Sequence, residues 1–242
     1  MNRRIGAALL LLVVARDARA QEVRRTPTGQ TVDSLLADWG WLARYRDDNA
    51  RIMGGPAEPT RVVFYGNSIT QGWAPLFPTL FPGKPYVGRG IGGQTTPQML
   101  VRFRQDVIAL KPRVVVILAG TNDIAGNTGP STIEMIEDNI ASMTELAQAH
   151  GIRVVLSSVL PVFDYPWKPG LAPAQKILDI NAWMKAYAAR MGAVYLDYHS
   201  AMQDERHGLR ADLGSDGVHP NEAGYRIMAA LAQRAIDLAL RQ

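Results

Sequence analysis

From Arg61 onward the chain alternates short, β-branched apolar runs with longer stretches of helical periodicity. The apolar runs fall at 61–66, 86–91, 114–119, 153–159 and 193–197. Each is too short for a core helix and too continuously apolar for a strand with one wet face. Such runs separated by amphipathic helices predict an α/β domain in three layers, a parallel sheet covered on both faces. The most regular helix is expected at 131–150, with Ser131 and Glu134 as a capping box, one face made of Ile133, Ile136, Ile140, Met143 and Ala147, and Gly151 as the stop. A second, from about 173 to 190, buries Ile177, Ile180, Trp183, Met184 and Tyr187 and closes at Gly192, and the last runs from Pro220, in its first turn, to about Leu240. Upstream, Leu35, Leu36, Trp39, Leu42 and Ala43 recur at helical spacing behind Asp33, which predicts one leading helix laid against the domain, with Trp39 and Trp41 as packing residues. With no internal repeat, low-complexity tract or linker, the organisation is a lead-in over 21–60 and one domain over 61–242.

The first twenty residues stand apart from this pattern. A short basic start, an apolar run from Ile5 to Ala15 and Ala18-Arg19-Ala20 before Gln21 read as an export signal peptide, residues 1–20. The run is shorter than the roughly 20 residues a spanning helix needs, so no membrane span is expected after cleavage. This changes the charge argument. Of the formal net charge of +4, the leader holds four arginines against one aspartate, leaving the mature chain nearly neutral. The basic balance is therefore no sign of a nucleic-acid partner. Zero cysteines exclude a disulfide framework and a thiol nucleophile, and leave no residue at the cut to take a lipid.

Candidate chemistry lies just past the carboxyl ends of the predicted strands, where open α/β sheets bind ligands. Ser68 follows the first strand, where it reads either as a helix cap or as a nucleophile. Gly88, Gly90 and Gly93 follow the second and spell a dinucleotide fingerprint, but the acidic residue expected at the end of the next strand is missing, since that strand runs into Gly120. The same glycines serve better as a source of backbone N–H groups. Gly120-Thr121-Asn122-Asp123 follows the third strand, and Asp216-Gly217-Val218-His219 precedes the last helix. Together these supply a nucleophile (Ser68), a base (His219), a carboxylate to orient it (Asp216) and oxyanion donors at the backbone of Ser68 and Gly93 and the side chain of Asn122. Asp123, Asp197 and Asp212 are rival acids, with Asp216 favoured by its closeness to His219. The arrangement is not the α/β-hydrolase elbow, because Thr70 stands where G-x-S-x-G needs glycine.

Gly66-Asn67-Ser68-Ile69, Gly92-Gly93, Gly120-Thr121-Asn122-Asp123 and Asp216-Gly217-Val218-His219 resemble, in order, the four blocks of the SGNH (GDSL-type) esterase and lipase family, and GIGGQTT followed by GTND is most similar to its platelet-activating-factor acetylhydrolase-like branch. The resemblance implies a five-stranded parallel sheet of flavodoxin-like order, with Ser68, Asp216 and His219 as triad and Ser68, Gly93 and Asn122 as oxyanion hole. Asn67 stands where the family has Asp, and Gly93 is preferred to Gly92 by analogy. No cofactor is implied. His150, His199 and His207 lack a second ligand at metal spacing, so no metal site is expected.

The partner is expected to be a small-molecule or carbohydrate ester. Trp73, Phe77, Tyr165 and Trp167, in two proline-rich segments, either wall the site or cap the core. No long insertion suggests a lid, which favours short acyl groups, chiefly acetyl. The expected activity is an exported serine esterase; an acetyl transferase acting on sugar hydroxyls, a lysophospholipase or a thioesterase would use the same residues, and a binding module that kept the fold would turn over no ester.

Overall fold

The computed structural model describes residues 31–242. The expected signal peptide and the polar stretch that follows it lie outside the described residues. In chain order the elements are α1 (Val32–Ala37), α2 (Arg46–Gly54), β1 (Val62–Gly66), α3 (Ser68–Trp73), α4 (Phe77–Leu80), β2 (Tyr86–Gly90), α5 (Thr96–Asp106), β3 (Val114–Leu118), α6 (Thr121–Ile124), α7 (Ile133–Ala149), β4 (Arg153–Ser157), α8 (Ala174–Met191), β5 (Val194–Leu196), α9 (His199–Met202) and α10 (Glu222–Arg241). The five strands pair in the order β2-β1-β3-β4-β5, all parallel, with Val62 opposite Tyr86 on one side and Val114 on the other. This is the flavodoxin-like order that the resemblance implied.

The strands are apolar on both faces because both are buried. Val63, Tyr65, Val115, Ile117, Val154 and Leu156 pack with α5, α7 and α8. Their neighbours Val62, Phe64, Val114, Val116 and Val155 pack with α3, α4 and α10. β1 ends with its apolar run at Gly66, and the other four strands end a residue or two before theirs. Just past β4, Ser158 keeps a backbone bond to the Leu196 carbonyl, and its hydroxyl accepts from the backbone N–H groups of Tyr198 and His199 beyond β5.

Three helix starts differ from expectation. The leading helix is two, α1 and α2. The carboxylate of Asp38 accepts from the N–H groups of Leu42 (2.7 Å) and Ala43 (2.9 Å), a local turn that competes with helix continuation. Trp41 there adopts φ 51°, and Leu36 and Trp39 are exposed rather than packed; the side chain of Leu35 is outside the described set. The α7 cap is Thr132, extended and accepting from Met135 N–H, in place of the Ser131–Glu134 box. The α10 cap is Asn221, which accepts from Gly224 N–H, so Pro220 sits before the helix, bridged to Gly214.

Glycines let α3 lie hard against the sheet. A Cβ at Gly90 would stand 2.2 Å from the Gln71 nitrogen and 2.6 Å from the Asn67 carbonyl oxygen, and one at Gly88 would stand 2.4 Å from the Ala74 Cβ. What approaches these glycines is the chain's own helix. Gly90→Ala is expected to destabilise by about 3 kcal/mol or more, whereas Gly54→Ala, with open space around it, should change stability by less than about 1 kcal/mol. Denaturant midpoints check the pair, and a tolerated Gly90→Ala would refute the close-packing account.

Candidate active site

Ser68 is the first residue of α3. The cap of that helix is its neighbour Asn67, whose side-chain oxygen accepts from Ile69 N–H at 3.3 Å. The Ser68 hydroxyl is thereby spared from capping. Its Oγ lies 2.9 Å from Nε2 of His219, and Nδ1 of His219 lies 2.6 Å from Oδ2 of Asp216. Oδ1 of the same carboxylate accepts from the backbone N–H groups of Val218 (3.0 Å) and His219 (2.7 Å). Partial burial pushes the Asp216 carboxyl up, but these hydrogen bonds outweigh it and hold the group below its ordinary range. An ionised Asp216 fixes the tautomer in which Nδ1–H donates to it and Nε2 accepts from the serine hydroxyl.

The loop bearing His219 is held to Ser68 through α10. Tyr225 donates to the Ile69 carbonyl at 2.9 Å and stacks on the buried Trp73, with 5.8 Å between centroids. Across the sheet edge, Gln71 accepts from Gly92 N–H at 2.6 Å. That occupies one of the two candidate N–H groups. Gly93 follows at φ 75°, and among the described residues no acceptor takes its N–H, nor that of Ser68. Asn122, in α6 just past β3, is buried and donates one amide hydrogen to the Gln94 carbonyl at 2.9 Å, keeping its second. Gln94 thus links the loop of Gly93 to Asn122.

The rival acids are engaged elsewhere. Asp197 accepts from Ser200, and Asp212 pairs with Arg210. Asp123 accepts from the N–H and hydroxyl of Thr96, tying the β3 loop to the start of α5. Of the four aromatic candidates, Trp73, Phe77 and Tyr165 are core residues. Trp167 is 44% exposed, and its ring centroid is 6.2 Å from that of His219. Gln71 and Tyr225 escaped the sequence reading. Gln71 had a signal, since it stands three residues after Ser68 on one helix face; Tyr225 had none, as its partner is 156 residues away.

The model of the GDSL-like Lipase/Acylhydrolase family matches residues 64–227, about two thirds of the chain. The protein belongs to this family. Membership places it in a family of lipases and acylhydrolases. It is similar to a GDSL-like lipase of known structure from Bacteroides thetaiotaomicron, 45% identical, covering 83% of this chain and 99% of that one with a TM-score of 0.78. It is also similar to an acetylxylan esterase from Xylanibacter ruminicola, 27% identical over 84% of this chain and 47% of that protein. An uncharacterized lipoprotein, YqeF, from Bacillus subtilis is 31% identical over 43% of this chain and 49% of its own length. The chain spans about half the length of these two curated relatives.

Burial pushes the Asp123 carboxyl up to about 6 from 3.8, although the Thr96 hydrogen bonds pull the other way. Between about pH 4 and 6 the folded chain therefore holds a proton there that the unfolded chain has lost. This contribution to stability is complete below about pH 4 and is lost as pH rises through about 6, on the order of 2–3 kcal/mol. Denaturation of wild type and Asp123→Asn between pH 4 and 7.5 should show a smaller decline for the variant, and parallel curves would contradict the assignment.

Proposed function

We propose that the chain is an exported serine esterase that hydrolyses short-chain, chiefly acetyl, carboxylic esters. The observation that carries the reading is the continuous hydrogen-bonded line from Ser68 Oγ through the His219 ring to Asp216, with 2.9 Å and 2.6 Å contacts. Ser68 Oγ attacks the ester carbonyl as its proton passes to Nε2 of His219, and Asp216 stabilises the imidazolium that forms. The carbonyl oxygen, now negative, is met by the N–H groups of Ser68 and Gly93 and the remaining amide hydrogen of Asn122. The imidazolium returns its proton to the alcohol oxygen, the alcohol leaves, and Ser68 holds the acyl group. Water then repeats the sequence, giving up a proton to His219 while its oxygen bonds the acyl carbon, and the acid departs as Ser68 recovers its hydrogen.

The acetyl preference is supported by the acetylxylan esterase relative and by the lack of a long insertion that would cover a fatty chain. Export is supported by the leader-like residues 1–20 and by a lipoprotein relative. Among the described residues no helix is long and apolar enough to cross a membrane.

Ser68→Ala should reduce turnover of p-nitrophenyl acetate by more than about a thousandfold without shifting the unfolding midpoint; retained turnover would sink the proposal. Asn122→Ala should lower kcat about a hundredfold with a smaller effect on KM, read from steady-state kinetics. In an acyl series, kcat/KM should fall from acetyl to octanoyl, and the opposite trend would replace the acetyl reading by a lipase one.

A further inference from the structure

We infer that the exposed indole of Trp167 is the platform on which the alcohol half of the substrate stacks, and that this half is a sugar ring. The inference rests on the esterase reading above and names the substrate class of that site.

Sidedness comes first. In the acyl-transfer step the carbonyl oxygen points to Ser68 N–H, Gly93 N–H and Asn122, while His219 Nε2 must reach the alcohol oxygen to return its proton. A ring beside His219 therefore borders the alcohol. Trp167 is that ring, 6.2 Å away between centroids and tilted by 38°.

The second observation is that the ring is held in place while remaining wet. Tyr165, fully buried, packs against Trp167 at 5.1 Å and donates its hydroxyl to the Thr121 carbonyl at 2.9 Å. Asp164 accepts from Gly170 N–H (2.7 Å) and Tyr165 N–H (3.0 Å), closing the loop on itself. Lys168, next to the tryptophan, donates to the Ala125 carbonyl at 2.9 Å. Phe163, on the same segment and 49% exposed, has the Arg206 guanidinium over its ring at 4.4 Å. A large apolar ring fixed by its neighbours and left 44% exposed is a preorganised contact surface, because little ordering entropy remains to be lost on binding. Tryptophan is also among the residue types enriched at binding hot spots.

The third observation selects the ligand. The side chains of His219 and Asp216 are 36% and 38% exposed, so the alcohol side is open to water rather than an apolar well. An alcohol there must present an apolar face to the indole and hydroxyls to solvent. A pyranose does both, with C–H groups on its faces and hydroxyls around its rim, and an open rim leaves room for further sugars. A lipid alcohol would leave its chain in water.

The test compares Trp167→Ala and Trp167→Phe with wild type on an acetylated methyl xylopyranoside and on ethyl acetate, which has no ring to stack. Trp167→Ala should lower kcat/KM on the acetylated sugar about tenfold or more, mainly through KM, with a loss on ethyl acetate at least fivefold smaller. Trp167→Phe should recover most of the sugar activity. The deacetylated xyloside should inhibit wild type competitively and the alanine variant several-fold more weakly. Equal losses on both esters, or no loss on the sugar, would overturn the platform and leave the esterase reading standing. Wild type that cleaves neither ester, or Ser68→Ala that still cleaves them, would overturn the esterase reading and the platform with it.

Discussion

The carboxyl edge of the sheet is held together by the buried guanidinium of Arg102. It donates to the carbonyl of Gly66 at the end of β1, to the carbonyl of Arg89 near the end of β2, to the side chain of Gln94 in the loop of Gly93, and to Asp106 on its own helix. It also lies over the Tyr65 ring at 4.3 Å. A cation with no exposure is tolerable when its donors are matched, and removing a partner from such a set leaves an uncompensated buried charge. The ends of β1 and β2 and the loop beyond them are therefore fixed relative to one another from below. Gln94 extends that order on both sides, accepting from Asn122 through its carbonyl and donating through its side chain to the Gly40 carbonyl. Residues 39–49 share in it: Gln98 donates to the Trp39 carbonyl, Gln105 to that of Leu42, Tyr45 to that of Gly90, and Asn49 lies between Arg89 and Asp106. The segment ahead of β1 is thus part of the wall behind the proposed oxyanion loop.

Strand order explains why the proposed catalytic groups meet here. From β1 the chain goes to β2 on one side and then crosses to β3 on the other, so a crevice opens between the loops that follow β1 and β3. Ser68 follows β1 and Asn122 follows β3, while Gly93 reaches across from β2 over the tightly packed α3. His219 comes from the far end of the sequence, and Tyr225 of α10 carries it to Ser68 by its bond to α3.

What could be read from the residues divides along the range of the interactions. The strands, the periodic faces of α7 and α8 and their glycine stops were legible because each is set by neighbours a few residues away. So was the pairing of Asp216 with His219, three apart on one turn. The leading helix was misread because apolar spacing says nothing of Asp38, whose carboxylate competes for the backbone locally. Thr132 displaced the expected start of α7 because Ser131 beside it has equal capping chemistry and only backbone geometry separates them; at α10 the Asn221 side chain caps the helix, so Pro220 falls one position outside it. Arg102 was invisible: an arginine on a helix reads as a solvated charge unless the topology that surrounds it with carbonyls is already known. The four aromatic candidates divided in the same way, three rings entering the core and one, Trp167, remaining beside the imidazole.

The exposure of the Asp216–His219 pair poses an energetic question. In a solvated setting the Coulombic attraction between a carboxylate and an imidazolium is weak, so the proposed triad, open to water, gives up part of the stabilisation that a buried aspartate would supply. Here the geometry is secured by covalent proximity instead. The carboxylate accepts the N–H of the very residue that carries the imidazole, and of the one before it, so a single turn fixes both partners. Orienting the ring then requires no closing of a long loop and no dry pocket, and the rim stays open. A large apolar group at that rim is Trp167, its ring centroid 6.2 Å from that of the imidazole and itself 44% exposed. The proposed triad, open, locally braced and beside an aromatic ledge, suits an ester whose alcohol is large and polar, since such an alcohol could not be enclosed and would lose its hydration if it were.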